Sequence, residues 1–335
     1  MLNRLAVAFV FGLAASAAAQ SPDRQPVKTI ADGRVAVSVP AGRGSVPVYV
    51  SADWSKPLPS VTRAVIVVHG TLRNADVYLR AAEAARVKAK EAAEANLLIV
   101  PQFLTAADIA AHGVRADVLR WGFDEWKDGR PAAGPAPLSS FDVFDAILAR
   151  LADKTAFPGL RHVVVAGHSG GAQVVQRYAV AGRGEDMLTR QKIPVRYVVA
   201  NPSSYLWFGD ERPRPQPGCA TAAQWKYGLA GAPPYVGPVD ALEERYIKRD
   251  VIYLLGDQDI DPAHPQLDRS CGGASQGESR YARGMQFLFA LEGRHPNLVR
   301  HRIFAIPGVG HDSAGMFGSV CGGAALFDKT GCPGM

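Results

Sequence analysis

Short unbroken runs of aliphatic and β-branched residues recur along this chain, separated by stretches whose apolar positions fall three to four residues apart. Ala64-Val65-Ile66-Val67-Val68 is the clearest run. It has the composition of a strand buried on both faces of a parallel sheet, where neither face needs polar side chains. Residues 97–100, 162–166, 195–200, 251–255 and 299–306 repeat the pattern. Between them, residues 76–95 are rich in Ala, Glu, Lys and Arg, contain no Gly or Pro, and predict a helix. Residues 139–152 predict another, with Phe141, Phe144, Ile147, Leu148 and Leu151 along one face. Further helices are expected at 170–180 and near 281–291. Two partly alternating segments, 35–39 and 46–50, flank Pro40-Ala41-Gly42-Arg43-Gly44 and predict a hairpin. Strands alternating with helices imply an α/β domain: a mainly parallel central sheet with helices on both faces.

Two stretches break this rhythm. Residues 102–138 hold Trp121 and Trp126 among several glycines and prolines, and residues 202–244 hold Tyr205, Trp207, Phe208, Trp225 and Tyr227. Irregular segments of this length inside a compact domain usually carry function. They are expected to form lid-like walls of a cleft, with Trp121, Tyr205 and Trp207 as substrate-binding candidates and an apolar or aromatic substrate.

The N-terminus reads as an export signal. Arg4 precedes an apolar segment over 5–15, and Ala17-Ala18-Ala19 supplies the small residues a signal peptidase requires. The expected organisation is a leader over 1–19 and one domain over 20–335, with a periplasmic or extracellular destination. No later apolar run approaches the ~20 residues of a membrane helix. In an oxidising compartment, the four cysteines suggest two disulfides. Three connectivities are open; the simplest joins Cys219 to Cys271 and Cys321 to Cys332. No two of these thiols have the close spacing of a zinc site. The net charge of +6 is spread along the chain, without the clustered basic face and stacking aromatics of a nucleic-acid binder.

The chemistry concentrates at Gly167-His168-Ser169-Gly170-Gly171, a G-x-S-x-G motif between a predicted strand and a predicted helix. A tight strand-to-helix turn exposes the serine hydroxyl, and glycines allow the neighbouring backbone to approach. Ser169 is therefore the candidate nucleophile, with His168 beside it as a candidate substrate contact. Serine needs a base. His311, 142 residues on in Gly308-Val309-Gly310-His311, stands at a strand's carboxyl end, where such folds place their catalysts. The acid that orients it is sought in Gly256-Asp257-Gln258-Asp259-Ile260-Asp261. Asp259 is favoured, then Asp257, then Asp261. The same acids do not make an EF-hand loop, because Pro262 and Asp268 stand where glycine and glutamate are required. Oxyanion donors are expected from the backbone N–H groups of Gly170 and of Thr71 in His69-Gly70-Thr71-Leu72-Arg73. Arg73 is read as pairing with a nearby acid.

Together these residues resemble the α/β-hydrolase superfamily, from His69-Gly70 through the serine motif and Gly256-Asp257-Gln258-Asp259 to Gly310-His311. In that family the acid commonly stands three residues after the glycine ending its strand, which supports Asp259. The resemblance implies hydrolysis of a carboxylic ester, amide or related bond without a cofactor; the leading expectation is a carboxylic ester of a small-molecule or polymeric substrate, with no metal. Two alternatives stay open: cleavage of peptide or other amide bonds, including those of an anionic polymer, and a non-catalytic binding protein on the same scaffold.

Overall fold

A computed structural model describes residues 24–296 and 300–334. The expected leader and Val299, the first residue of the last predicted strand, lie outside the described residues. One eight-stranded sheet organises the chain. Its strands are β1 (Gly33–Val39), β2 (Gly42–Val50), β3 (Arg63–Val68), β4 (Asn96–Pro101), β5 (His162–His168), β6 (Val195–Ala200), β7 (Asp250–Gly256) and β8 (His301–Ile306). They lie in the order β1-β2-β4-β3-β5-β6-β7-β8. The hairpin β1–β2 is antiparallel and β2 meets β4 antiparallel; every other pairing is parallel.

Strand periodicity divides the core into two layers, because successive side chains point to opposite faces. Ala64, Ile66, Val68, Val163 and Val165 pack with helix α2 (Ser140–Leu151), helix α3 (Gly170–Ala181) and Phe287, Leu288 and Leu291 of helix α4 (Arg280–Arg294). Val65, Val67, Val164 and Ala166 pack instead with Ala75, Tyr78, Ala82 and Ala85 of a helix over Ala75–Lys88 and with a helix over Val320–Phe327. The first of these two is shorter than its composition predicts. It ends at Lys88, and Lys90 adopts a left-handed conformation with φ 55°. The chain must reverse there to enter β4 alongside β3, a requirement that no local Gly or Pro announces.

The two irregular stretches dock on α3, all twelve residues of which are buried. The Gln176 side-chain oxygen accepts the Leu206 N–H, and Arg177 donates to the backbone oxygens of Lys127 and Lys226 and to the Ser204 hydroxyl. They form a built wall on the helix that follows Ser169. No described helix is long and apolar enough to cross a membrane.

Disulfides join Cys219 to Cys271 and Cys321 to Cys332. The first spans 52 residues and ties the second irregular stretch to the turn before α4. Replacing Cys219 and Cys271 together with Ser should lower stability by about 2–4 kcal/mol, mainly by freeing the unfolded chain. The urea midpoint measures this, and an unchanged midpoint would mean the bridge restrains nothing.

Candidate active site

β5 runs directly into Ser169, whose backbone sits at φ 59° and ψ −120° before α3 begins at Gly170. A non-glycine residue seldom adopts this region, and such strain persists only where its surroundings enforce it. The surroundings are tight: a β-carbon on Gly167 would lie 2.3 Å from the Gly171 carbonyl, and one on Gly171 would lie 2.2 Å from the Val68 oxygen. Both flanking glycines are thus required by close backbone approach, and the Ser169 N–H is fixed to the Ala200 oxygen at 2.9 Å.

The Ser169 hydroxyl donates to His311 Nε2 at 2.9 Å, and His311 Nδ1–H donates to Asp259 Oδ2 at 2.7 Å. His311 comes from the loop after β8 and Asp259 from the loop after β7. These loops are tied to each other. The Gln258 N–H reaches the Val309 oxygen at 3.0 Å, and Asp257 accepts the Gly308 N–H at 2.8 Å. Asn201, at the end of β6, accepts from the Gly256 N–H and donates to the Gly310 oxygen. Asp257 therefore braces the loops, while Asp261 caps its own turn by accepting the Ala263 N–H. Among the three acids, Asp259 is the one that reaches His311.

Asp259 is buried, and its other oxygen accepts from Arg280 at 3.2 Å. Arg280 is fully buried and also donates to the Ser203 hydroxyl and to His264 Nδ1. Burial alone would raise the Asp259 pKa, but the His311 hydrogen bond and the Arg280 charge hold it below the usual carboxylate value. Burial pushes the His311 pKa down from 6.5, Arg280 adds to this, and the bond to Asp259 partly opposes it.

Gly170 opens α3, so its N–H has no intrahelical acceptor. Thr71 stands beside it: a β-carbon on Gly170 would lie 3.0 Å from the Thr71 nitrogen and 2.9 Å from its hydroxyl. Arg73 orients the Thr71 loop. It donates to the Thr71 oxygen at 3.2 Å and forms a buried two-pronged pair with Asp108 at 2.8 and 3.1 Å. His69 beneath is neutral, with Nδ1–H on the Gly70 oxygen and Nε2 accepting the Phe103 N–H. Burial drops its pKa to about 4.

A cleft of about 220 Å³ opens beside Thr71, with Phe123, Asp124 and Lys127 from the first irregular stretch, Lys226 and Tyr227 from the second, and Gln173 from the second turn of α3.

By sequence, no family profile and no curated protein matches this chain. Solved structures do. Poly(aspartic acid) hydrolase-1 from Sphingomonas sp. KT-1 superposes with a TM-score of 0.59 at 21% identity, over 87% of this chain and 96% of that one. The LpqC poly(3-hydroxybutyrate) depolymerase from Bordetella parapertussis gives 0.60 at 22% identity, over 88% and 90%. The chain has the α/β-hydrolase fold.

On this α/β-hydrolase fold the structure brings Ser169, His311, Asp259, Thr71 and Gly170 together. His168 lies behind them, buried, its ring 4.6 Å from that of His311 and its Nδ1 3.2 Å from the Tyr78 hydroxyl. The three aromatic candidates for the cleft wall stand elsewhere, which corrects the expectation. Trp121 packs on Phe103 at 5.3 Å, and Tyr205 and Trp207 pack on Phe287 at 4.7 and 5.6 Å, all of them buried. Their large apolar area stabilises the irregular stretches from within, and the cleft face carries charged and polar groups together with Phe123, Tyr227 and Leu267. Sequence reasoning passed over Lys127, Lys226 and Arg280. Only Gln173, one helical turn beyond Ser169, had a spacing that pointed to the site.

Proposed function

We propose that this chain is a secreted serine hydrolase that cleaves carboxylic ester bonds through an acyl-enzyme on Ser169. The hydrogen-bonded series Ser169–His311–Asp259 carries the reading. The Ser169 oxygen attacks the ester carbonyl carbon while His311 Nε2 takes its proton. The carbonyl π electrons move to oxygen, and that charge is held by the Thr71 and Gly170 N–H groups. The tetrahedral adduct collapses as His311 passes the proton to the departing alkoxide oxygen. Water then loses a proton to His311 and attacks the acyl carbon; the carboxylic acid leaves as Ser169 regains the proton. Asp259 keeps the His311 proton on Nδ1 and stabilises the imidazolium. Export is supported by the leader pattern over 1–19 and by the two disulfides.

Turnover of p-nitrophenyl butyrate by the mature protein, blanked with Ser169→Ala, tests the reading. A folded wild type that does no better than the blank would refute ester cleavage and leave amide cleavage or a binding role on this scaffold. The acid limb of kcat/KM has a predictable position. His311 must be neutral to act as base, and its pKa is lowered, so activity should survive below pH 6.5 and fall only as His311 protonates. A limb centred above 6.5 would contradict that environment.

Amide cleavage is the second reading. It is favoured by the charged cleft face at Lys127 and Lys226 and by likeness to a protein described as a poly(aspartic acid) hydrolase. Matched ester and amide substrates separate the two, since only the leaving atom that His311 must protonate differs.

A further inference from the structure

Lys127 and Lys226 hold one carboxylate between them, and that carboxylate belongs to the protein. Asp124 Oδ1 lies 2.7 Å from Lys127 Nζ, and Asp124 Oδ2 lies 3.9 Å from Lys226 Nζ. The three differ sharply in freedom. The Lys127 side chain is 4% exposed, with its ammonium 4.3 Å from the centre of the Phe123 ring and 5.7 Å from that of Trp126. Lys226 is 14% exposed, and its backbone oxygen is bound by the buried Arg177. Asp124 is 56% exposed and stands at the rim. The fourth charge, Asp268, is fixed in place, accepting from the Tyr227 and Ser270 hydroxyls and pairing with Lys226 at 3.5 Å.

We propose that Asp124 is a placeholder, and that the cleft beside Thr71 is a subsite for a carboxylate on the substrate, which displaces Asp124 and lies between Lys127 and Lys226. The proposal rests on the hydrolase reading and names its substrate class: esters or amides whose chain bears a second carboxylate. Charge and burial argue for it. A buried ammonium left without an anion is costly, so Lys127 demands a partner of negative charge, whereas Asp124, 56% exposed at the rim, can be solvated by water once another carboxylate takes its place. With Asp124 swung out, the other charged residues that line the cleft, Lys127, Lys226 and Asp268, leave one positive charge in excess, which a single carboxylate matches. A neutral substrate group offers Lys127 nothing in exchange and leaves Asp124 where it is. The position is relevant to chemistry because Thr71, the expected oxyanion donor, lines the same cleft.

The experiment compares kcat/KM for mono-p-nitrophenyl adipate and suberate with that for p-nitrophenyl hexanoate and octanoate, using the mature full-length protein. Wild type should favour the acidic esters at least about tenfold. Lys226→Gln should lower the acidic-to-neutral ratio about tenfold, chiefly through KM. Asp124→Asn should raise the ratio several-fold, because the incumbent carboxylate is gone; a merely structural ion pair gives no such gain. A wild-type ratio near one that neither variant moves overturns the subsite and leaves the hydrolase standing. If wild type turns over none of these esters, the ester reading fails, and calorimetry of adipate with Ser169→Ala decides the subsite. Binding that weakens about tenfold when Lys226→Gln is added upholds it, and no binding overturns it.

Discussion

Ser169→Ala should lower kcat on p-nitrophenyl butyrate by about a million-fold while the protein stays folded. Alanine keeps the β-carbon, so the backbone at φ 59° is neither relieved nor worsened. Gly167 and Gly171 still pack against their neighbours, and the Ser169 N–H still reaches Ala200. Only the oxygen is lost, and with it the atom proposed to form the acyl bond. His311 Nε2 loses one hydrogen bond where its side chain is only 10% exposed, a cost of about 1–2 kcal/mol. Circular dichroism should therefore match wild type and thermal denaturation should stay close to it, the plainest separation of chemistry from folding that this site permits. A mutant retaining more than a hundredth of the wild-type rate would require a different nucleophile.

Asp259→Asn should cost about ten-thousand-fold in kcat, and here stability should suffer as well. The carboxylate accepts from two sides, from His311 at 2.7 Å and from Arg280 at 3.2 Å. An amide has one oxygen and one NH₂ group. If the oxygen faces Arg280, the NH₂ faces His311 Nδ1 and forces the imidazole proton onto Nε2, where it can no longer accept from Ser169. If the oxygen faces His311, the NH₂ confronts a fully buried guanidinium, donor against donor. Removing the charge also strips Arg280 of its counter-ion, a loss of about 3–5 kcal/mol for a buried pair. Thermal melting and kcat, measured on the same preparation, should both fall. If kcat stayed within tenfold of wild type, Asp259 would not be the orienting acid. Asp257→Asn would then be the variant to make, although in the structure Asp257 is occupied with the Gly308 N–H.

The strands, their order of chemistry and the serine turn were legible because each rests on local rules. β-branched runs bury on both faces of a parallel sheet, and the serine turn needs glycine at two positions where backbone approaches within contact distance. Residues 195–200, for example, form β6 with the bounds their pattern predicts. Shorter elements were not legible. The helices over Ala106–His112 and Glu185–Arg190 are stabilised by contacts made elsewhere in the fold, as in the Asp108–Arg73 pair, rather than by a long periodic face.

By itself, then, the amino-acid order determined an alternating α/β chain with a strained serine, a histidine at a strand end and three possible acids. Tertiary structure decided which acid meets the histidine, because that depends on two loops braced by Asp257, Asn201 and backbone bonds. It also reversed the roles assigned to the irregular stretches. Trp121, Tyr205 and Trp207 turned inward, since burying large apolar area is what holds such segments down, and Lys127 and Lys226 were left facing the cleft beside Phe123 and Tyr227. Which side of a loop faces inward is set by what it packs against, and a sequence without periodicity carries no record of that.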